Sequence, residues 1–172
     1  MQNYPKSIYK LYLVTDSFLA QPRGNLEIIK EAVKGKVSLV QLREKNSTTK
    51  EFYLRGLQIK KFLQDKKIPL IINDRLDIAI AIDADGLHIG QNDLPLKVAR
   101  KIWKKLLGVS VSTVKQAIEA EKSGADYLGV SPVFSTPTKP DAPHPVGLDG
   151  IKQIRAAVKI RSEERRVGKE CA

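Results

Sequence analysis

The sequence is poor in several things, and each lack excludes a class. It has one cysteine, Cys171, so it cannot close an internal disulfide, and a reducing compartment, the cytoplasm, is expected. No apolar run is long enough to span a bilayer, and Met1 to Lys10 reads as neither signal peptide nor anchor. Aromatics are only 6% and accompany no RNA- or DNA-binding motif, so the excess of Lys+Arg (30) over Asp+Glu (19) does not by itself imply nucleic acid. Lysines such as Lys97, Lys101, Lys104 and Lys105 fall at solvent-facing helical spacing. There is no GxGxxG fingerprint, no GxxxxGK[ST] loop, no nucleophile elbow and no His/Cys cluster for zinc.

What is present is an alternation. Short apolar runs (LYLVT, LVQL, PLII, YLGV) are separated by longer amphipathic stretches such as Lys50 to Gln64 and Val114 to Lys122. Runs that are apolar throughout suit strands buried on both faces, and strand-then-helix alternation makes them parallel. Six such units can be read up to Val158. Either a doubly wound sheet or a (β/α)8 barrel two units short of closure fits. The stretch RSEERRVGKECA has no strand-like run where a seventh strand is due. Residues 1–160 are therefore expected to form one domain and 161–172 a tail outside it.

The polar residues cluster where strands end. Leu39, Gln41 and Arg43 share a strand face, and a buried guanidinium and amide there need partners. A phosphate or polar ring would serve, as would a salt bridge from Arg43 to Asp74 or from Glu44 to Arg75. Asn73 and Asp74 follow the third strand on the face where barrel active sites lie, or else cap the next helix. Asp93 follows the fourth strand, where it either joins Asp74 at a Mg2+–diphosphate site or caps the helix after Leu94-Pro95. His88, inside an apolar strand, reads as a core histidine. After the sixth strand, Ser135 to Pro140 offers hydroxyls, a lysine and backbone N–H groups that suit a phosphate, in a loop long enough to be a lid.

Seven segments, LYLVTD, QLREK, PLIINDR, ADGLHIGQNDLP, LGVSVST, GADYLGVSPVFSTPTKP and VGLDGI, together resemble the thiamine-phosphate synthase family from about Ile8 to Val158. The resemblance implies a (β/α)8 TIM barrel. It implies a transferase that joins hydroxymethylpyrimidine diphosphate to thiazole phosphate, or its carboxylated form, and releases diphosphate with the help of Mg2+. By position, Gln41, Leu42, Arg43, Glu44, Lys45, Asn73, Ser110 and Lys139 would bind the pyrimidine diphosphate, and Thr136, Pro137 and Thr138 the thiazole phosphate. Asp74 and Asp93 would hold the metal, with Arg43 and Lys139 stabilising charge on the leaving group.

The implied partners are small molecules, neither nucleic acid nor membrane, with room for a homo-oligomer. Ser112 stands where many members carry histidine, and Ser131 where they carry glycine. Without the last two strands the phosphate site would be incomplete and turnover weak. Two alternatives are a thiazole tautomerase on the same barrel and a phosphate-ligand-binding barrel fragment without turnover. The tautomerase needs neither the metal pair nor the pyrimidine-diphosphate residues.

Overall fold

The computed structural model describes residues 5–135 and 145–164. The chain forms two compact units. Residues up to His88, with Trp103–Leu106, make the first; Ile89–Ile102 and the residues from Leu107 onward make the second.

The first unit runs β1 (Tyr12–Val14), α1 (Asn25–Lys34), β2 (Leu39–Leu42), α2 (Thr49–Gln64), β3 (Leu70–Asn73), α3 (Leu76–Ala81) and most of β4 (Gly86–Ile89). Its strands pair in parallel and in chain order. Leu39, Val40, Leu42, Leu70, Ile71, Ile72 and Leu87 are all fully buried, as strands covered on both faces require. Phe52, Ile59 and Leu63 bury one face of α2. That helix starts at a capping box: Thr48 Oγ1 accepts the Glu51 N–H and the Glu51 carboxylate accepts the Thr48 N–H.

The second unit carries α4 (Leu96–Ile102), β5 (Leu106–Val111), α5 (Val114–Lys122), β6 (Tyr127–Val130), α6 (Gly147–Ala157) and β7 (Arg161–Glu164). β5, β6 and β7 are again parallel neighbours in chain order. Gly108 is required here, because a Cβ would lie 2.1 Å from the Tyr127 ring that fills its place.

Several element bounds differ from the sequence reading. Lys6–Tyr9 is a 3-10 turn, so β1 begins later than the apolar run suggests. Residues 161–164, expected in the tail, form β7 alongside β6, with Tyr127 opposite Arg161 and Val130 opposite Glu164. The strand is held by backbone pairing, which needs no apolar side chain. Among the described residues seven strands are thus present where six were expected.

The strand beginnings are anchored by aspartates. Asp85 Oδ2 accepts the Leu70 N–H at 2.9 Å, and Asp126 Oδ2 accepts the Leu107 N–H at 2.8 Å. Each lies in an Ala-Asp pair just before a strand and ties down the first or second residue of the preceding one.

Candidate active site

The register of the first unit builds the site. Val14 lies opposite Gln41, Gln41 opposite Ile71, and Asn73 opposite His88. Continued two residues, that register sets Asp16 beside Arg43 and Arg43 beside Asn73. Side chains at one level of parallel neighbours share a face. Asp16, Arg43, Asn73 and His88 therefore form one row across the C-terminal ends of four strands.

The contacts agree with the row. Arg43 Nη1 donates to Asp16 Oδ2 at 2.6 Å. The Arg43 backbone N–H donates to Thr15 Oγ1 at 3.1 Å, and the Thr15 N–H donates to the Gln41 carbonyl at 2.9 Å. One layer below, Gln41 Nε2 donates to the Tyr12 hydroxyl at 2.6 Å. Lys45 reaches past the row to pair with Asp74. Asn73 and His88 are both buried.

Asp74 sits in the left-handed region with φ +64, and its N–H donates to the His88 carbonyl at 2.7 Å. An aspartate tolerates that conformation better than most residues, and the turn leaves its carboxylate partly exposed at the strand end. It does not cap α3. The N-cap is Arg75, whose side chain instead forks onto Asp77, with Nη2 to Oδ2 at 2.5 Å.

Glu44 points the other way. Its carboxylate accepts Ser17 Oγ at 2.6 Å, Asn25 Nδ2 at 2.6 Å, Ser47 Oγ at 2.7 Å and Arg55 Nη1 at 2.6 Å. Burial alone would push this carboxyl up, but the hydrogen bonds from Ser17, Arg55 and Ser47 hold it below its ordinary value. The sequence alternative of a salt bridge in place of a ligand is thus realised with other partners: Arg43 with Asp16 rather than Asp74, and Glu44 with Arg55 rather than Arg75. Leu42, expected at the pyrimidine-diphosphate site, is fully buried.

In the second unit, Asp93 Oδ2 accepts the Gly90 N–H at 2.6 Å, and the Ser110 carbonyl accepts Gln91 Nε2 at 2.6 Å. At the start of α4 the Pro95 carbonyl accepts the N–H groups of Val98 and Ala99. Ser112 lines a cavity of about 500 Å³ with Thr113, Val146, Gly150, Gln153 and Ile154. Thr136, Pro137, Thr138 and Lys139 lie outside the described residues. Among the described residues no three or more His, Cys, Asp or Glu gather as a metal site, and no helix is long and apolar enough to cross a membrane.

Parallel βα units whose polar side chains collect at the C-terminal strand ends define an enzyme on an incomplete (β/α)8 barrel. A family model described as thiamine monophosphate synthase matches residues 11–162, and the chain belongs to that family. It is 55% identical over 156 residues to the thiamine-phosphate synthase of Syntrophomonas wolfei subsp. wolfei, covering 90% of this chain and 75% of that protein. With the thiamine-phosphate synthase of Clostridium novyi it shares 48% identity, covering 90% and 76%. The solved thiamine phosphate pyrophosphorylase from Pyrococcus furiosus superposes with a TM-score of 0.83 at 38% identity, covering 91% of this chain and 74% of that one.

Proposed function

We propose that the protein condenses hydroxymethylpyrimidine diphosphate with thiazole phosphate to give thiamine phosphate and diphosphate. The carrying observation is the Asp16–Arg43–Asn73 row with Lys45 and Asp74 beside it, at the rim where enzymes of this architecture act. Gln41, Arg43, Lys45 and Asn73 bind the pyrimidine diphosphate. Ser110, Lys139 and the thiazole-phosphate residues Thr136, Pro137 and Thr138 carry over from the family motifs alone. The substrates are small molecules, the setting is the cytoplasm, and neither nucleic acid nor membrane is a partner.

The reaction breaks the bond between the pyrimidine methylene and the diphosphate oxygen, with the electron pair leaving on oxygen. The thiazole nitrogen then bonds to the methylene. No protein nucleophile is needed, so the protein's task is to hold the diphosphate and stabilise its growing charge. Arg43 does this with a planar fork and Lys45 with a point charge. Lys45 is half exposed while Asp74 is 17% exposed, so the lysine can swing from Asp74 to a phosphate oxygen without leaving the solvent.

Charge balance supports a divalent ion. Arg43, Lys45 and Arg55 are offset by Asp16, Glu44 and Asp74. A bare diphosphate would meet, among the described residues of these pairs, cations already balanced by carboxylates. Mg2+ takes one or two carboxylates and completes its shell with phosphate oxygens and water, so Asp74, freed as Lys45 turns to phosphate, fits it. For Asp93 the support is its motif, GQNDLP. When bound, the ion supplies Lewis-acid stabilisation of the diphosphate.

The test is a mixed-substrate assay that follows diphosphate and thiamine phosphate together. Wild type should release both in equal amounts, and Asp74→Ala should lose at least about a hundredfold in kcat/KM. Isomerisation of the thiazole without diphosphate release would instead identify a tautomerase.

A further inference from the structure

Glu44 lies between Arg43 and Lys45 in the chain, but the pleat turns it to the opposite face. Its side chain is 1% exposed and both oxygens are engaged. Oε1 takes the Asn25 amide, and Oε2 takes Ser17, Ser47 and Arg55. The partners are themselves linked: Asn25 Nδ2 also donates to Ser17 Oγ at 2.9 Å, and Arg55 Nη1 to Ser47 Oγ at 3.2 Å. These donors come from the loop after β1, the first residue of α1, the loop after β2, and α2.

A carboxylate so enclosed, 1% exposed, offers no surface to a ligand. Its grip extends to both neighbours: Ser17 follows Asp16, which holds Arg43, and Ser47 precedes the Thr48 cap that starts α2. Among the described residues the network also leaves Asn25 Oδ1 buried without a hydrogen-bond partner, which costs stability. A network serving stability alone would gain by satisfying that atom or by replacing the ionic group with apolar packing.

We propose that Glu44 is a positioning residue for the diphosphate site, fixing the strand-end segment so that Arg43 and Lys45 present their cations to the ligand without Glu44 touching it. This rests on the reading that Arg43 and Lys45 bind diphosphate.

The experiment measures calorimetric affinity for inorganic diphosphate with Mg2+, and Tm, for the full chain and for Glu44→Gln, Asn25→Ala, the double variant and Arg43→Met. Glu44→Gln keeps the shape but puts an NH2 where donors already point. It should weaken binding about tenfold, as loss of an outer supporting group does. Asn25→Ala should weaken it in the same direction, and the double variant should bind no worse than Glu44→Gln, because both act through one network. Wild-type affinity in Glu44→Gln with a lowered Tm would make Glu44 purely structural and overturn the proposal. Unchanged affinity in Asn25→Ala beside a loss in Glu44→Gln would make Glu44 a direct ligand and overturn it equally. If Arg43→Met binds as wild type does, the site reading itself fails and takes this one with it. Should Glu44→Gln not fold, Ser47→Ala carries the same expectation.

Discussion

The two ends of the strands use charge in different ways. At the beginnings, Asp85 and Asp126 neutralise backbone N–H groups, while Lys60 and Lys105 donate to the carbonyls of Ile82 and Ala84 at 3.0 and 2.9 Å. These charges hold main-chain groups, and Asp126 also pairs with Arg100 and both lysines with Asp83. At the finishing ends of the first unit, Arg43 and Lys45 are held by side chains, those of Asp16 and Asp74, which a ligand can replace. The same residue types serve stability at one end and, on the function proposed above, binding at the other. What separates them is whether backbone groups are among their partners.

The largest expected effect that could break this contrast is Asp126→Ala. It strips the acceptor from the Leu107 N–H and from Arg100 Nη2, and leaving such groups unsatisfied costs about 1–3 kcal/mol. Chemical denaturation should show that loss, with activity per folded molecule unchanged. A fall in specific activity at constant stability would reverse the roles of the two ends.

A smaller effect sharpens the comparison through pH. The Glu44 carboxyl is held below its ordinary value of 4.5 in the folded chain. Its contribution is therefore present above that value and lost as pH falls through the lowered one. Thermal melts should show Glu44→Gln losing less Tm than wild type between neutral pH and pH about 3. An equal loss in both would mean that the acid sensitivity lies elsewhere.

Much of the architecture could be read in the chain, because β2, β3 and β6 are largely buried and nearly all apolar. β7 could not, since Arg161-Ser162-Glu163-Glu164 pairs through its backbone and carries no hydrophobic signature. The polar strand ends were visible as residues that interrupt apolar runs. Their partners were not: Arg43 meets Asp16 because of the β1–β2 register, which sequence spacing does not reveal. Glu44 meets Arg55 because α2 begins at Thr48, and the Thr-x-x-Glu capping box at Thr48–Glu51 is the signal that could have set that helix's phase. His88, read as a core residue, is buried as expected and also stands in the row with Arg43 and Asn73.

On the function proposed above, Arg43 and its row receive a metal-loaded diphosphate at strand ends where Arg43 and Lys45 are already matched by Asp16 and Asp74. The direct measurement is a calorimetric titration of inorganic diphosphate, with and without Mg2+, into wild type and Arg43→Met. The account predicts binding that weakens at least about tenfold when Mg2+ is withheld and again when the guanidinium is removed. Equal affinity in all the titrations would contradict it.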